Sequence, residues 1–454
     1  MIVIAIIMAI ILGAVLGSRH DFTIETTTTK PISTNNSTFD GYPTAFYSFD
    51  NNIFDLYSLR NGVVEGGPVQ YVVGYLTYGK AIVLNQMTAT EIHIQPAFDL
   101  SNSSSFTIGG FFMLEKEKMN ATLVQLTTNI GFYLINGILT ASLGLNLIVD
   151  GTLTIPTNQW YYLSLVYNST LQTATMSIDG NLDGTRSAIK LNNNSLINTN
   201  EMIVIGTNYQ GRIDQLTITL KAKSPSEILW DATTIAYYPL DVSWLNDLGP
   251  NDIMATSTNV QTVYAWRFNG INFNLTDSYF QADGFTALGT PAHAFSIAVW
   301  VRTESQPGVF LTVSNPFTCL LVVGIQNDDN RLVVYLPNAT QTGENINIVG
   351  PVMPLYAWVH FAFTWSSNSQ AKLYTSGFLQ GSNSQATLLN NARGQNNSLP
   401  MTITLGQYHG AANCQGIQGV NVSQQFKGSL DELYIFSREL QIDDLVQLET
   451  QQQR

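Results

Sequence analysis

The sequence predicts an all-β protein made of two tandem antiparallel β-sandwich domains, and three observations support this fold class. The segment Gly211-Arg-Ile-Asp-Gln-Leu-Thr-Ile-Thr-Leu220 returns near the C-terminus as Gly428-Ser-Leu-Asp-Glu-Leu-Tyr-Ile-Phe-Ser437. Many short segments alternate apolar and polar residues, as strands with one buried face do. Gly and Asn turn signals separate these segments. Because a repeat of about 200 residues is too long for a solenoid unit, it indicates two whole domains of one fold.

The duplication extends over most of each half of the chain. Three more pairs of segments match in the same order: Ala45–Asp50 with Ala236–Asp241, Phe106–Met113 with Phe295–Arg302, and Trp160–Tyr167 with Trp358–Trp365. Alternate residues of the second pair are predicted to form the core: Phe106, Ile108 and Phe112 in copy one, and Phe295, Ile297, Val299 and Val301 in copy two. Trp300 then lies on the opposite, outer face of its sheet.

Local signals add one turn and two helices. Ile178-Asp179-Gly180-Asn181 predicts a tight hairpin turn, because Gly tolerates the positive φ that such a turn needs. A short helix is expected after Pro225, with Ser224 or Ser226 as its N-cap, and its counterpart is expected over Asp443–Leu448. The rest of the chain carries almost no helical pattern.

The order of motifs in residues 235–450 resembles the laminin-G-like branch of the concanavalin A-like jelly rolls. The resemblance rests on four segments, Trp266-Arg-Phe-Asn-Gly270, Phe295–Val301, Trp358-Val-His-Phe361 and Phe426–Phe436. It implies a jelly-roll sandwich for each copy. Copy one departs from the pattern, since Tyr78–Asn85 replaces the Phe-Asn-Gly strand end and Phe111 stands where copy two has Trp300.

The N-terminal region predicts a secreted or surface-anchored chain. Ile2–Leu16 is apolar and uncharged, which fits a cleaved secretory signal, with an uncleaved membrane anchor as the alternative. Thr23–Thr38 is rich in Thr, Ser and Asn and suits an O-glycosylated spacer. The predicted organisation is 1–17 signal peptide or anchor, 18–43 spacer, 44–232 jelly-roll domain one and 233–454 jelly-roll domain two.

Glycosylation signals and the two cysteines agree with an extracellular location. Asn-X-Ser/Thr sequons occur at Asn35, Asn36, Asn102, Asn120, Asn168, Asn193, Asn274, Asn338, Asn396 and Asn421. The only cysteines, Cys319 and Cys414, both lie in copy two. Two cysteines gained by one copy of a secreted chain are expected to pair as a disulfide, with two free thiols as the alternative.

Composition and motifs exclude several functions. Charged residues are 11% of the chain and the formal net charge is −13, without a Lys/Arg cluster, so nucleic acid is not expected as a partner. Nucleotide-binding glycine loops, HExxH metal spacing and Gly-X-Ser-X-Gly elbows do not occur in the sequence, and His360 is expected at the surface or in a groove. The alternating acidic strand of laminarinase-type relatives is also missing. No catalytic residue is therefore predicted.

Two ligand hypotheses remain. Trp300 beside Arg302 could form an outer aromatic platform that stacks a sugar ring, unless a loop covers the tryptophan. The resemblance also implies Ca²⁺ on rim loops, with the candidate ligands Asp241, Asp247, Asp277 and Asp283, although Asp at strand ends also caps turns. Asp214 and Asp431, in the closing motif, are expected to hydrogen-bond neighbouring backbone.

The sequence thus predicts a non-catalytic extracellular recognition or adhesion protein that binds glycans or extracellular proteins through jelly-roll rim loops. One alternative is a glycoside hydrolase of the same superfamily with carboxylates assembled from distant strands. The other is a structural matrix component. Calcium is the one cofactor that the resemblance suggests, and the sequence predicts no oligomeric state.

Overall fold

The computed structural model describes residues 44–57, 60–95, 105–144, 147–191, 201–241, 245–305, 307–326, 329–337, 345–386, 400–407, 414 and 424–450. All of them belong to one compact unit. The predicted signal peptide or anchor (1–17) and spacer (18–43) lie outside the described residues, as do seven of the sequons: Asn35, Asn36, Asn102, Asn193, Asn338, Asn396 and Asn421. Within the described ranges, no helix has the length and hydrophobicity needed to span a bilayer.

The first sandwich consists of strands β1 to β15. Their bounds in chain order are Ala45–Tyr47, Gly62–Glu65, Gln70–Val73, Lys80–Leu84, Glu91–Ile94, Phe106–Leu114, Ala121–Thr127, Ile130–Ile135, Ile138–Leu143, Ile148–Thr154, Trp160–Asn168, Thr173–Ile178, Asn181–Arg186, Ile203–Ile205 and Gly211–Thr219. Short 3-10 turns occupy Tyr75–Thr77 and Gln86–Thr88.

The second sandwich consists of strands β16 to β30. Their bounds are Thr234–Tyr238, Ala255–Thr258, Gln261–Tyr264, Asn269–Asn272, Tyr279–Phe285, Phe295–Thr303, Gly308–Ser314, Cys319–Ile325, Arg331–Leu336, Ile346–Val352, Trp358–Ser366, Gln370–Thr375, Phe378–Asn383, Met401–Leu405 and Gly428–Phe436. The described residues also form three helices: α1 Pro225–Thr233, α2 Thr286–Gly289 and α3 Ile442–Thr450.

Each sandwich pairs an eight-stranded sheet with a seven-stranded sheet. In the first, the orders are β13-β12-β11-β6-β15-β4-β3, with β1 also on β15, and β10-β9-β8-β7-β14-β5-β2. In the second, they are β18-β19-β30-β21-β26-β27-β28, with β16 also on β30, and β17-β20-β29-β22-β23-β24-β25. All pairings between these named strands are antiparallel, and equivalent strands occupy equivalent places, for example β6 and β21 or β15 and β30. The predicted all-β fold of two antiparallel sandwiches is confirmed.

The core of each sandwich lies between its two sheets, on the face that the alternation predicts. The predicted core residues of β6 and β21 are all buried, in two separate apolar clusters. Asp179 and Gly180 have φ of 51° and 78° in the turn that joins β12 to β13, as the predicted hairpin requires. At α1, Ser224 is the N-cap, because its hydroxyl accepts from the Glu227 amide while the Glu227 carboxylate accepts from the Ser224 amide.

A disulfide joins Cys319 and Cys414, whose Cα atoms are 5.2 Å apart, so the predicted pairing is confirmed. Both cysteines are buried with Val309, Val322, Val333 and Tyr335. Since Cys319 begins β23, the bond attaches the segment after β29 to the seven-stranded sheet of the second sandwich.

The two sandwiches are in direct contact. Tyr78 belongs to the first sandwich by sequence, yet it is buried within the apolar cluster of the second. The hydroxyl of Thr286 in α2 donates to the carbonyl of Leu76 over 2.5 Å. On the other side of the contact, Trp230 of α1 packs edge-on against Phe436 of β30, with ring centroids 5.6 Å apart. Since β16 begins directly after α1, the helix itself is the connection between the sandwiches.

Candidate functional site

The loop Ala265–Phe268, between β18 and β19, folds back across β30. The Ala265 amide donates to the Phe268 carbonyl over 3.1 Å and closes the loop. The Arg267 amide donates to Asp431 Oδ2 over 2.8 Å, which ties the loop to the strand beneath it. Gly270 makes this approach possible, because a Cβ there would lie 2.7 Å from both the Leu430 carbonyl oxygen and the Ala265 Cβ. The loop therefore covers the outer face of the sheet next to β21.

Two tryptophans are stacked where this loop meets β21. The rings of Trp266 and Trp300 are 4.0 Å apart and inclined by 13°. Trp300 lies on the outer face as the alternation predicts, but it is only 3% exposed, while Trp266 above it is 40% exposed. The alternative in which a loop covers Trp300 is thus the one observed. The indole that faces solvent is Trp266.

Two further exposed aromatic rings belong to the same loop and to the surroundings of Arg302. Arg302 follows Trp300 by two residues on the same face, and its guanidinium lies over the Tyr356 ring, 5.9 Å from the centroid. Phe268 and Tyr356 are 63% and 64% exposed. We call Trp266, Phe268, Arg302 and Tyr356 the aromatic platform. Sequence reasoning missed three of its members. Trp266 and Phe268 lie in a turn without periodicity, and the signal that could have revealed them is the pair of aromatics in that turn.

Arg302 is held in place from two sides. Its Nε donates to the Tyr356 carbonyl over 3.3 Å, and its Nη1 pairs with Glu304 Oε1 at 3.1 Å. The Tyr356 amide in turn donates to the Thr303 carbonyl over 2.7 Å. The guanidinium is therefore fixed beside an exposed ring, with a partly exposed carboxylate next to it.

His360 is buried, so its predicted place at the surface or in a groove is wrong. It lies opposite Trp300 across the β21–β26 pair, with ring centroids 5.2 Å apart. Burial lowers the pKa of the His360 imidazole to about 4. The alternation of β26 places His360 on the outer face of the sheet beside Trp300, but side chains cover the imidazole there and keep it from solvent.

Two buried carboxyl groups lie beneath the platform. Asp431 is fully buried, and Glu432, at a bulge with φ 54°, accepts from the Tyr237 and Tyr434 hydroxyls, each at 2.9 Å. Burial, together with the neighbouring Glu432 carboxylate, raises the pKa of the Asp431 carboxyl from 3.8 to about 9. Burial also raises the pKa of Glu432. Asp431 does hydrogen-bond backbone, as predicted, but that backbone belongs to a loop far away in sequence.

The buried Asp431 makes stability fall as the pH rises. Its folded-state pKa lies above its unfolded value, so its contribution is fully present below about pH 4 and is lost as the pH rises through about 9. Between these limits, Asp431 lowers the free energy of unfolding by up to about 1.4 kcal/mol for each unit that the pH rises. We expect Asp431→Asn to make the melting temperature fall less steeply between pH 6 and pH 9, while the exposed-turn control Asp329→Asn keeps the wild-type slope. Equal slopes for Asp431→Asn and the wild type would contradict this assignment.

The first sandwich contains the same arrangement in a covered form. Tyr75 stacks on Phe111 with centroids 3.8 Å apart, and the Tyr75 amide donates to Asp214 Oδ2 over 2.7 Å. However, Phe111 is buried together with Ile228 and Ala232 of α1. The Tyr75 side chain lies next to Ser437, which directly follows β30 of the second sandwich. The equivalent pair in copy one is therefore part of the contact between the sandwiches.

The four predicted calcium ligands do not come together. Asp247 is buried and accepts from the backbone amides of Tyr237, Gly249 and Ile253, and Asp241 accepts from the Asn269 amide. Asp283 pairs with the Thr402 hydroxyl, and Asp277 lies 3.5 Å from the Gln407 amide nitrogen. Across the described ranges, no three His, Cys, Asp or Glu side chains are grouped to hold a metal ion. Backbone amides already bond both carboxylate oxygens of Asp247 and one carboxylate oxygen of Asp241.

Three predicted glycosylation sites lie within the described residues. Asn120 and Asn274 are exposed and Asn168 is half-buried. The Asn274 side-chain amide donates to Glu304 Oε2 over 2.6 Å, close to the platform residue Arg302, which pairs with the same carboxylate. Glycosylation at these positions stays a prediction.

A family model of the concanavalin A-like lectin/glucanases superfamily, of the laminin G type, matches residues 88–229 and 274–445, which together cover more than half of the chain. The chain belongs to this superfamily, with one match in each sandwich. The resemblance seen in the sequence is thereby confirmed for both copies. No curated protein matches the sequence.

Solved structures with a similar fold come from several kinds of protein. Domain 4 of AbnA, an extracellular GH43 arabinanase from Geobacillus stearothermophilus solved with arabinotriose, is 24% identical over 41% of this chain and 96% of that chain, with a TM-score of 0.35. The binding domain of Paraclostridial Mosquitocidal Protein 1 is 18% identical over 49% of this chain and 52% of that chain (TM-score 0.36). The botulinum neurotoxin serotype C1 binding domain is 10% identical over 90% of this chain and 96% of that chain, with a TM-score of 0.35. At these identities and TM-scores, none of them says what this chain binds.

Proposed function

We propose that the chain is a non-catalytic extracellular recognition protein that binds glycans through the aromatic platform of its second sandwich. The observation that carries the proposal is the exposed Trp266 indole, which lies flat on the buried Trp300 indole. A loop on the outer face that presents a ring in this way suits the apolar face of a pyranose, which packs its C–H groups on an aromatic surface.

The platform also offers the polar groups that a sugar requires. The Arg302 guanidinium donates hydrogen bonds and Glu304 accepts them, and both lie beside the exposed Tyr356. Because Arg302 is already held by Glu304 and by the Tyr356 carbonyl, little side-chain entropy is lost when a ligand binds. A rigid ring with a fixed guanidinium beside it favours recognition of one sugar unit at a time.

The acids near the platform support a non-catalytic role. Glycoside hydrolysis needs two carboxyl groups about 5 to 9.5 Å apart in an open groove. Asp431 and Glu432, which lie beneath the platform, are both buried and engaged by the loop and by two tyrosine hydroxyls. A disulfide and a set of sequons support an oxidising, extracellular setting.

A glycan array probed with purified chain tests this function. We expect binding to at least one class of glycan, and we expect Trp266→Ala to weaken it by about tenfold or more, since buried aromatic contacts of this kind contribute about 1.4 kcal/mol or more. The matched control is Phe317→Ala, which removes a ring that is 69% exposed in the turn between β22 and β23 of the other sheet. This control should bind as the wild type does.

Several outcomes would overturn the proposal. Equal binding by Trp266→Ala and the wild type would remove the platform from the interaction. Release of reducing ends from an array glycan would favour the hydrolase alternative. Binding that EDTA abolishes would place the ligand on a metal-dependent rim rather than on the platform, because the platform residues do not include a metal ligand. Failure to bind any glycan, with capture of an extracellular protein through Trp266, would change the ligand class.

A further inference from the structure

We infer that Asp431 is the positioning residue of the platform: its carboxyl holds the Arg267 amide and so fixes the loop that presents Trp266 to a ligand. This inference rests on the proposed function, because the platform is the site that Asp431 would organise. Arg267 lies between the two exposed rings of the loop, Trp266 and Phe268. A bond to its amide therefore restrains both rings at once.

The position of Asp431 in the sheet links the loop to the lower indole. Asp431 of β30 is directly opposite Trp300 of β21 in the strand pairing. Its Oδ2 accepts from the Arg267 amide over 2.8 Å, and the ring of the preceding residue, Trp266, lies on Trp300. One carboxyl therefore aligns the loop above with the tryptophan below. A second bond, from the Asn269 amide to Asp241 Oδ1 over 2.9 Å, holds the end of the loop.

The carboxyl at this position is costly, which separates it from an ordinary core residue. Asp431 is 0% exposed, and no described residue is hydrogen-bonded to its Oδ1. Leaving a buried polar atom unsatisfied costs about 1 to 3 kcal/mol, whereas an apolar residue of similar shape avoids that cost. The bond from Asp431 to the loop therefore explains why an acid stands at this position despite the free-energy cost of burying it.

The same device occurs in copy one, which is an independent observation of its geometry. Asp214 accepts from the Tyr75 amide over 2.7 Å, and Tyr75 lies on Phe111, the residue opposite Asp214 in the β15–β6 pairing. The loops differ in sequence and length, yet an aspartate bond and a stacked aromatic pair recur together. The aspartate and the stack are therefore one structural unit.

The stacked indoles supply a direct readout, since two indoles 4.0 Å apart whose in-plane transition moments are skewed relative to each other give an exciton couplet in far-ultraviolet circular dichroism. We expect Asp431→Ala to lose most of the couplet, down to the level of Trp266→Ala. Asp431→Asn should retain it, because the amide oxygen still accepts from the Arg267 amide. The matched control is Asp214→Ala, the equivalent change in copy one, which should leave the couplet of the second sandwich unchanged.

A measurement on the wild-type chain keeps the inference testable if Asp431→Ala does not fold. Residue-resolved hydrogen exchange by mass spectrometry should show the Arg267 amide protected roughly tenfold or more, the factor that corresponds to the net contribution of one hydrogen bond. A couplet that persists in folded Asp431→Ala, or an unprotected Arg267 amide in the wild type, would overturn the inference. No ligand enters either measurement, so a failure of glycan binding is distinguishable from a failure of this inference.

Discussion

Replacing Cys319 and Cys414 by alanine is expected to destabilise the second sandwich by about 4 to 5 kcal/mol, since in the chain-entropy model the cross-link removes the closure entropy of a long loop from the unfolded state. The two cysteines are 95 residues apart in sequence, and the strands β24 to β29 lie between them. For a domain of about 200 residues, this loss corresponds to a decrease in melting temperature on the order of 10 °C. Differential scanning calorimetry of the double variant measures it.

Reduction of the wild-type disulfide is the control for this prediction, because both cysteines of the chain are in copy two and form that bond. We expect wild-type protein treated with reductant to melt as the double variant does. A double variant that melts together with the oxidised wild type would show that the cross-link does not stabilise the fold.

Tyr78→Ala is expected to destabilise the chain by about 3 to 5 kcal/mol, the usual cost of truncating a buried aromatic residue to alanine. Tyr78 extends from the first sandwich into the apolar cluster of the second, next to the contact between Thr286 and Leu76. Loss of the Tyr78 ring opens a cavity in the second sandwich and weakens the contact between the two sandwiches. We therefore expect a single calorimetric transition in the wild type and two separate transitions in the variant.

Tyr78→Phe is the matched control, because it keeps the ring and removes only the hydroxyl. It should retain the single transition with a much smaller decrease in melting temperature. A Tyr78→Ala profile that superimposes on the wild-type profile would contradict the role of this ring in joining the sandwiches.

Strand alternation was sufficient to predict which residues face the core. Phe295 and Ile297 are buried between the sheets, and Trp300 is on the outer face, because the side chains of a strand must alternate whatever surrounds it. Alternation could not show whether the outer face is open. That depends on a loop that begins 35 residues earlier in the chain, at Ala265, and on the Asp431 bond that draws this loop over β30.

The predicted calcium ligands illustrate a second limit. Asp241 and Asp247 follow β16, in the kind of place where related modules bind cations. The sequence does not show which amides point at them. In the structure, Asp247 accepts three backbone amides, and in copy one Asp55 accepts the Phe46 amide just as Asp247 accepts the Tyr237 amide. An aspartate kept in both copies at a turn can therefore reflect backbone hydrogen bonding alone.

Under the proposed function, the different surroundings of the two stacked pairs leave one open platform among the described residues of each chain. The Tyr75–Phe111 pair lies at the contact between the sandwiches, and of the two pairs the Trp266–Trp300 pair is the more exposed. Two open platforms on one chain could engage a repeating ligand together, with avidity gains of about a hundredfold or more. The duplicated domain therefore adds no second open platform. Strong attachment to a densely glycosylated surface would have to come from many chains side by side.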